Sequence, residues 1–303
     1  MRKIIIKAVG GLGNQLFQYA FARALSEQFG VPFELDIAAY RPELRYWPKG
    51  TLIPSYYLQH FRAKIDFATG SDMFGFVWAR RHYRYFDSIY ARLRLKKFFS
   101  FYYHEKTFAF DPDVFTKKPT VYFDGFWQTE KYFMNIADQI RNEIQLKMPF
   151  EIYSQEISET IFKSNSVSIH VRRTVFVSDP MISAFHGSCS LEYYKAAVEH
   201  ICRNVKNPSF FLFSDDHEWV EENFKWLPGE HTVVKNGIEK NYEDMILMSQ
   251  CKHHIIANSS FSWWGAWLNP RKDKIVIAPK RWFANAPKND TKDLIPDGWI
   301  KMQ

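Results

Sequence analysis

The sequence predicts an α/β protein of about two domains, in which the C-terminal half is Rossmann-like and is built on a doubly wound parallel sheet. Its 303 residues suffice for about two domains of ordinary size. The segment 4–36 has the pattern strand, glycine turn, helix, strand. From residue 166 onward, short β-branched or aromatic runs alternate with helical patterns. Because strands that alternate with helices form parallel sheets, the α/β class follows.

The N-terminal elements are each marked by a change of pattern. A β-branched run predicts a strand at 4–9, and apolar residues at i, i+4 spacing predict a helix at 16–29. Gly30 provides the stop of that helix, and a second strand is predicted at 31–36. Between residues 40 and 120 no periodicity is clear.

The C-terminal half contains a longer alternating series. Its strands are predicted at 166–171, 209–214, 231–235, 253–257 and 274–278, and its helices at 191–201, 217–224, 242–251 and 260–269. The polar stretch 147–165 precedes this series. We therefore place the boundary between a domain at 1–150 and a domain at 151–303.

Composition and charge limit the class of protein. Apolar residues make up 46% of the chain, which is enough to fill two cores. The net charge of +7 suits a polyanionic partner such as nucleic acid, phospholipid or a nucleotide diphosphate. The three cysteines show no CxxC spacing, so we expect reduced thiols rather than a disulfide framework or a zinc site.

The hydropathy pattern also bears on location. No apolar stretch approaches the roughly 18 residues that a transmembrane helix requires. Lys7 interrupts the apolar run that follows the basic N-terminus, and no small-residue cleavage site comes after it. We therefore expect neither a membrane span nor a secretory signal, and a cytoplasmic location.

Polar or glycine-rich segments follow the predicted strands, at the edge where α/β sheets bind ligands. These segments are 10–15, 170–173, 214–216 and 258–264. Turns that only connected two elements would accept many other residues. We therefore expect a ligand crevice at this edge.

The first of these segments is rich in glycine. Gly10, Gly11 and Gly13 allow close approach of the backbone, and N–H groups at a helix start form an anion site. A tight turn that needs glycine only for its geometry is the alternative. The spacing lacks the third glycine of GxGxxG, which disfavours a nicotinamide cofactor. Asn14 and Gln15 could hydrogen-bond the oxygens of a ligand.

Two adjacent arginines end a predicted buried strand. Arg172 and Arg173 point to opposite faces if the chain is still extended. One of them can then make bidentate contacts to a phosphate, while the other pairs with a carboxylate. His170 shares the face of Arg172, where it is either a ligand contact or an ordinary core histidine.

Two further segments offer polar side chains at helix starts. Asp215 and Asp216 can cap the helix that follows or bind the guanine or ribose of a nucleotide. Asn258, Ser259 and Ser260 offer amide and hydroxyl groups to a phosphate.

Five motifs together resemble the bacterial α1,2-fucosyltransferases. They are GGLGNQLFQYAFARAL from residue 10, GFWQTEKYF at 125–133, HVRR at 170–173, FSDD at 213–216 and ANSSFSWWGAWLN at 257–269. The resemblance runs from residue 4 to about residue 300. It implies a GT-B fold of two Rossmann-like domains facing a crevice, with an acceptor-side domain at 1–150 and a nucleotide-sugar-binding domain at 151–303. It also implies GDP-fucose as donor, inversion at the fucose anomeric carbon, and no metal or other cofactor.

The resemblance also implies roles for individual residues. Arg172 is expected to bind the diphosphate and stabilise the leaving group, with Arg173 in support. Further donor contacts are expected from His170, Asn258, Ser259 and Ser260 at the diphosphate, from Asp215 and Asp216 at the nucleoside, and from Gly11, Gly13, Asn14 and Gln15 in the N-terminal domain. The expected acceptor is a terminal β-galactoside of a surface polysaccharide or O-antigen.

The sequence departs from the family directly after the two arginines. The family continues with Gly-Asp-Tyr, whereas this chain has Thr174, Val175 and Phe176. Because Val175 cannot take a proton, the candidates for a catalytic base are Asp179 and His186 on the same loop. A mechanism without a base, in which GDP departs first, is the remaining alternative.

A metal motif known from other glycosyltransferases also occurs. The Asp-Pro-Asp sequence at 111–113 has the DxD spacing that holds a divalent ion on a nucleotide diphosphate. No β-branched strand precedes it, and Pro112 favours a turn. We therefore expect a turn and no metal site.

A basic, aromatic stretch at 80–99 supports two other hypotheses. It could bind nucleic acid, or it could lie on a membrane surface near lipid-linked sugar acceptors. A solvated helix face, with a helix over 85–99, is the simplest interpretation. Under the glycosyltransferase hypothesis, no nucleic acid partner is expected, and the protein acts in the cytoplasm or at the inner face of the membrane.

Overall fold

The computed structural model describes residues 3–41, 55–69, 102–116, 121–173, 187–284 and 290–303. These residues form two compact units. Unit 1 contains the described residues up to Glu143, except His60–Arg62, together with Lys292–Leu294. Unit 2 holds His60–Arg62 and the remaining residues from Ile144 onward. The chain thus changes unit after Glu143, ahead of the division that the sequence placed after residue 150.

Among the described residues, unit 1 contains a five-stranded parallel sheet. Its elements are β1 (Ile4–Lys7), α1 (Leu12–Phe29), β2 (Phe33–Asp36), β3 (Asp66–Phe67), β4 (Tyr102–His104), β5 (Val121–Asp124) and α2 (Ala137–Glu143). The strand order is β3-β2-β1-β5-β4, with β1 paired to β2 on one side and to β5 on the other. The junction of β1 and β5 is therefore a topological switch point, where sheets of this kind bind ligands.

The first helix begins earlier than predicted. It starts at Leu12 with Gly11 as its N-cap, so Gly13 and the two polar residues after it belong to the helix rather than to a preceding turn. The prediction began at residue 16 because glycine costs about 1 kcal/mol in a helix interior. Burial of Leu12 offsets part of that cost. Gly30 ends the helix in the left-handed conformation, with φ 63°, as predicted.

Unit 2 contains a six-stranded parallel sheet, counted over the residues that the structure describes. Its elements are α3 (Ile152–Lys163), β6 (Asn165–Val171), α4 (Leu191–Asn204), β7 (Pro208–Ser214), α5 (His217–Asn223), β8 (His231–Val234), α6 (Asn241–Gln250), β9 (His253–Ile255), α7 (Ser260–Leu268), β10 (Val276–Pro279) and β11 (Ile300–Met302). The strand order is β11-β10-β9-β6-β7-β8. Every strand and helix predicted between residues 166 and 278 is confirmed, with small shifts at the ends.

One helix of unit 2 lies where the sequence indicated only a polar boundary. α3 occupies most of the stretch 147–165. It buries Ile157 and Ile161, but Ile152 and Phe162 are exposed on it. Apolar side chains on both faces obscure the amphipathic pattern by which such a helix is recognised. The edge strand β11 was not predicted either.

Helices cover both faces of the unit 2 sheet. α4 and α5 pack on one face, around Ile169 and Leu212. α3 and α6 pack on the other, around Phe211 and Phe213. Neighbouring residues of β7 therefore belong to opposite cores, as expected for a strand buried on both sides. The two parallel sheets confirm the α/β class and the pair of Rossmann-like units that define the GT-B type.

Two features bear on the predicted environment of the protein. Cys189, Cys202 and Cys251 are free thiols, as predicted. In the ranges that the structure describes, no helix is long and apolar enough to cross a membrane.

Candidate active site

The switch point of the unit 2 sheet lies between β6 and β9. β6 pairs with β7 on one side and with β9 on the other, and the chain extends the sheet in opposite directions from this junction. Arg172 and Arg173 directly follow β6, while Asn258 and the start of α7 follow β9. The predicted ligand residues of the C-terminal half therefore meet at the edge where a crevice opens.

Asp215 holds the two arginines with one carboxylate. Its Oδ2 lies 3.3 Å from Arg172 Nη1, and its Oδ1 accepts a hydrogen bond of 2.8 Å from the backbone N–H of Arg173. The Arg172 side chain keeps 32% of its surface exposed. A guanidinium that is oriented but still accessible is suited to bind an anion without further ordering.

Arg173 has a different environment from its neighbour. Its Nε lies 3.3 Å from Asp216 Oδ2, and its guanidinium carbon lies 3.8 Å from the centre of the Trp219 ring. Asp216 is also the N-cap of α5, where Oδ1 accepts a hydrogen bond from Trp219 N. Arg173 is thus tied to the protein by an ion pair and a cation–π contact. Of the two roles predicted for the aspartates, helix capping is observed for Asp216. Contact of Asp215 or Asp216 with a nucleoside stays a prediction.

His170 is a buried, neutral imidazole at the same edge. Its side chain is nearly inaccessible, and its ring centre lies 5.3 Å from that of Phe261 in the first turn of α7. Burial, together with the nearby Arg172 charge, lowers the pKa of His170 to about 3, and the Asp215 charge opposes this shift. Nδ1 has no hydrogen-bond partner among the residues that the structure describes. Because an unpaired buried polar atom requires an explanation, this imidazole is a candidate contact for a polar group of a ligand.

The residues after β9 have separate roles. Asn258 is buried, and its Nδ2 donates to the backbone oxygens of Gly187 and Trp282, at 3.0 and 3.1 Å. Ser259 caps α7 by accepting a hydrogen bond from Phe261 N. Asn258 therefore fixes the loop, and the start of α7 provides the helix N–H groups that favour an anion.

In unit 1, the residues predicted to bind the sugar donor fall into two groups. Gln15 is fully buried; its Nε2 donates to the Gly10 and Ser55 oxygens, and its Oε1 accepts from Tyr57 N. It therefore anchors the chain around residues 55–57. Asn14 lies in a different place, at the switch point, where its Oδ1 accepts a hydrogen bond of 2.8 Å from Gln128 Nε2. Gly11 is exposed and Gly13 is buried.

The structure locates neither candidate base. Asp179 and His186 lie outside the described residues, as do the 174–176 departure and the basic stretch 80–99. Their predicted roles stay predictions.

The Asp-Pro-Asp sequence forms the predicted turn, at the start of a short 3₁₀ helix (Pro112–Thr116). Asp111 accepts hydrogen bonds from the Tyr103 hydroxyl and from Asp113 N, so both of its oxygens have partners within the protein. Among the residues that the structure describes, no cluster of His, Cys, Asp and Glu is arranged to hold a metal ion.

Sequence reasoning missed three residues at these edges. Trp219 supports Arg173, Gln128 pairs with Asn14, and the Glu105 carboxylate accepts the backbone N–H groups of Phe126 and Trp127. Gln128 belongs to the GFWQTEKYF motif, which was the available signal. No sequence signal marked Glu105, because the periodicity around it is unclear and its partners are backbone groups.

Fold and site together define an α/β protein of two parallel-sheet units with an oriented arginine at the switch point of the second. The chain belongs to glycosyltransferase family 11, whose model, described as "Glycosyl transferase family 11", matches residues 85–303. The predicted family and the predicted enzyme class, a glycosyltransferase, are thereby confirmed.

Three relatives illustrate this membership. An alpha-1,2-colitosyltransferase of Escherichia coli is 33% identical over 311 residues, covering 100% of both chains. The O-antigen biosynthesis glycosyltransferase WbnK of Escherichia coli is 40% identical over 151 residues, covering 50% of this chain and 48% of the relative. A galactoside alpha-(1,2)-fucosyltransferase 2 of Sus scrofa is 24% identical over 278 residues, covering 87% and 68%.

Proposed function

We propose that this glycosyltransferase transfers L-fucose from GDP-fucose, with inversion, to the 2-hydroxyl of a terminal β-galactoside in a surface glycan such as an O-antigen. The names of the relatives support the parts of this statement separately. Two of them are α1,2-transferases of 6-deoxy sugars, one acts in O-antigen biosynthesis, and one acts on galactosides.

The oriented Arg172 is the observation that carries the proposal. Asp215 holds its guanidinium at the switch point, where the first turn of α7 also lies. As GDP leaves, its phosphate gains negative charge. A fixed guanidinium and helix N–H groups stabilise that charge more in the transition state than in the ground state, which is what accelerates the reaction.

Removal of the proton from the acceptor hydroxyl is assigned to the loop after Arg173. His186 and Asp179 are the candidate bases there, and a dissociative mechanism without a base is the alternative. No cofactor takes part in this scheme. A lipid-linked acceptor, peripheral membrane association and a cytoplasmic location belong to the same proposal.

A second donor has a specific observation in its favour. The relative that covers the whole chain is a colitosyltransferase. Colitose is L-fucose without its 3-hydroxyl, so one pocket could accept both sugars unless it hydrogen-bonds that hydroxyl. GDP-colitose is therefore the second candidate donor.

A donor panel tests the proposal. Purified protein is incubated with GDP-fucose, GDP-colitose or GDP-mannose and with lactose as the β-galactoside, and kcat/KM is measured for each donor. We expect transfer from GDP-fucose and none from GDP-mannose. Transfer from GDP-colitose alone would replace fucose by colitose in the proposal, and turnover with none of the three would contradict it.

A further inference from the structure

Glu105 holds the loop that follows β5. Its Oε2 accepts a hydrogen bond of 2.6 Å from Phe126 N, and its Oε1 accepts one of 3.0 Å from Trp127 N. Glu105 itself directly follows β4, and its backbone N–H donates to the Asp124 oxygen. One carboxylate therefore fixes two successive peptide groups at the carboxyl edge of the unit 1 sheet.

The shape of this loop is enforced at two positions. A Cβ at Gly125 would lie 2.5 Å from the Glu105 Cβ, so only glycine leaves room for the carboxylate. Trp127 has φ 58°, a left-handed conformation that is unfavourable for a non-glycine residue. Its fully buried ring stacks on Phe21 at 4.1 Å, which helps to maintain that conformation. Backbone strain of this kind persists only where contacts with the surrounding residues enforce the conformation, and it is concentrated at functional sites.

The loop presents sugar-binding chemistry at the switch point of unit 1. Phe126 is half-buried and stacks on Phe108, with ring centres 6.3 Å apart. Gln128 pairs with Asn14 beside it. Aromatic faces and side-chain amides are suited to the C–H faces and hydroxyl groups of a neutral sugar.

The charges at the ends of β1 and β5 compensate each other. Lys7 Nζ lies 2.6 Å from Asp124 Oδ1, and the Tyr102 hydroxyl donates to Asp124 Oδ2. In contrast to the oriented arginine of unit 2, this pair offers little attraction to a diphosphate. The two switch points therefore differ in the ligand chemistry that they favour.

We propose that Phe126, Gln128 and Asn14 form the subsite for the acceptor galactoside, and that Glu105 is the positioning residue that fixes its geometry. The proposal rests on the function proposed above and assigns Asn14 to the acceptor, in place of the donor contact that the resemblance implied.

Protonation of Glu105 provides a test that needs no substitution. Burial raises the pKa of the Glu105 carboxyl, the two backbone N–H groups oppose this shift, and the Asp124 charge adds to it, which gives a pKa of about 7. Among the described residues, the other titratable groups around it are Lys7 and Tyr102, which reach it through Asp124, and Tyr132. Below about pH 7, the protonated carboxyl loses acceptor strength, so the loop loosens.

The experiment measures lactose binding by saturation-transfer NMR without any donor, and GDP binding by calorimetry. We expect Glu105→Gln and Phe126→Leu each to weaken lactose binding by about 10-fold or more while GDP affinity is retained. In the wild type, lactose affinity should fall between about pH 8 and pH 6, and Glu105→Gln should remove this dependence. Asp138→Asn, at a side chain that is 96% exposed, is the control.

Because donor-free binding is measured, the outcome does not depend on which sugar is transferred. Wild-type lactose affinity that is independent of pH, or variants that lose GDP affinity as much as lactose affinity, would overturn the proposal. Wild-type protein that binds no β-galactoside would overturn it as well. If Glu105→Gln fails to fold, Phe126→Leu and the wild-type pH profile still decide the question.

Discussion

Arg172 and Asp215 form the ion pair on which the donor site depends, with Nη1 and Oδ2 3.3 Å apart. The other oxygen of Asp215 binds the backbone N–H of Arg173, at 2.8 Å. Asp215 therefore connects the end of β7 to the end of β6, and it orients a cation whose surface is still accessible.

Replacement of Arg172 by lysine should impair the chemical step. Lysine keeps the charge but loses the planar fork that binds a phosphate through two N–H groups. We expect Arg172→Lys to lower kcat/KM for the donor by about 10²-fold or more. Arg203→Lys, at an exposed helical ion pair, is the matched control and should keep wild-type kinetics. Near wild-type turnover by Arg172→Lys would exclude this residue from the site.

Activity should survive chelation of divalent metals. If Arg172 and the first turn of α7 meet the charge of the leaving group, a metal ion is redundant there. Asp111 already has protein partners on both oxygens. We expect the same rate of fucose transfer with and without excess EDTA. Loss of turnover that Mn²⁺ restores would require a metal-dependent mechanism.

The two candidate bases can be separated by comparing transfer with donor binding. A positioned base contributes about 10²–10⁴-fold to such a reaction. The alanine variant of the true base, His186→Ala or Asp179→Ala, should lose transfer by that factor while its affinity for GDP-fucose is unchanged. If both variants transfer at the wild-type rate, the dissociative mechanism is favoured.

Buried His170 should make stability depend on pH. Its folded-state pKa of about 3 lies below the ordinary value of 6.5, so between these values the unfolded state binds a proton that the folded state does not. The contribution is fully present above about pH 6.5 and declines as the pH falls, by at most about 1.4 kcal/mol per pH unit. Urea unfolding at several pH values measures the free energy of unfolding. We expect this free energy to depend less steeply on pH in His170→Phe than in the wild type. An equal pH dependence in the two proteins would mean that folding does not lower the pKa of His170.

Most of the unit 2 fold could be predicted because its strands are buried on both faces. β6 carries Val167, Ile169 and Val171 at alternate positions, β7 contains the aromatic and aliphatic run 210–213, and each strand is followed by polar residues. The same reasoning missed α3, since exposed Ile152 and Phe162 hide its pattern.

The site was predicted less completely, because its geometry depends on partners distant in sequence. The sequence allowed two interpretations of Asp215 and Asp216, and only the contacts with Arg172 and Arg173 show what these carboxylates hold. Gln15 has the residue type of a ligand contact, yet it is turned inward to Ser55 and Tyr57.

The linkage and anomeric configuration of the product test the proposed function most directly. Purified protein would be mixed with GDP-β-L-fucose and lactose, and the reaction followed by proton NMR. The account predicts an α-fucosyl group on the 2-hydroxyl of galactose, formed together with GDP from the start of the reaction. A β-linked product, attachment at another hydroxyl, or release of free fucose alone would contradict it.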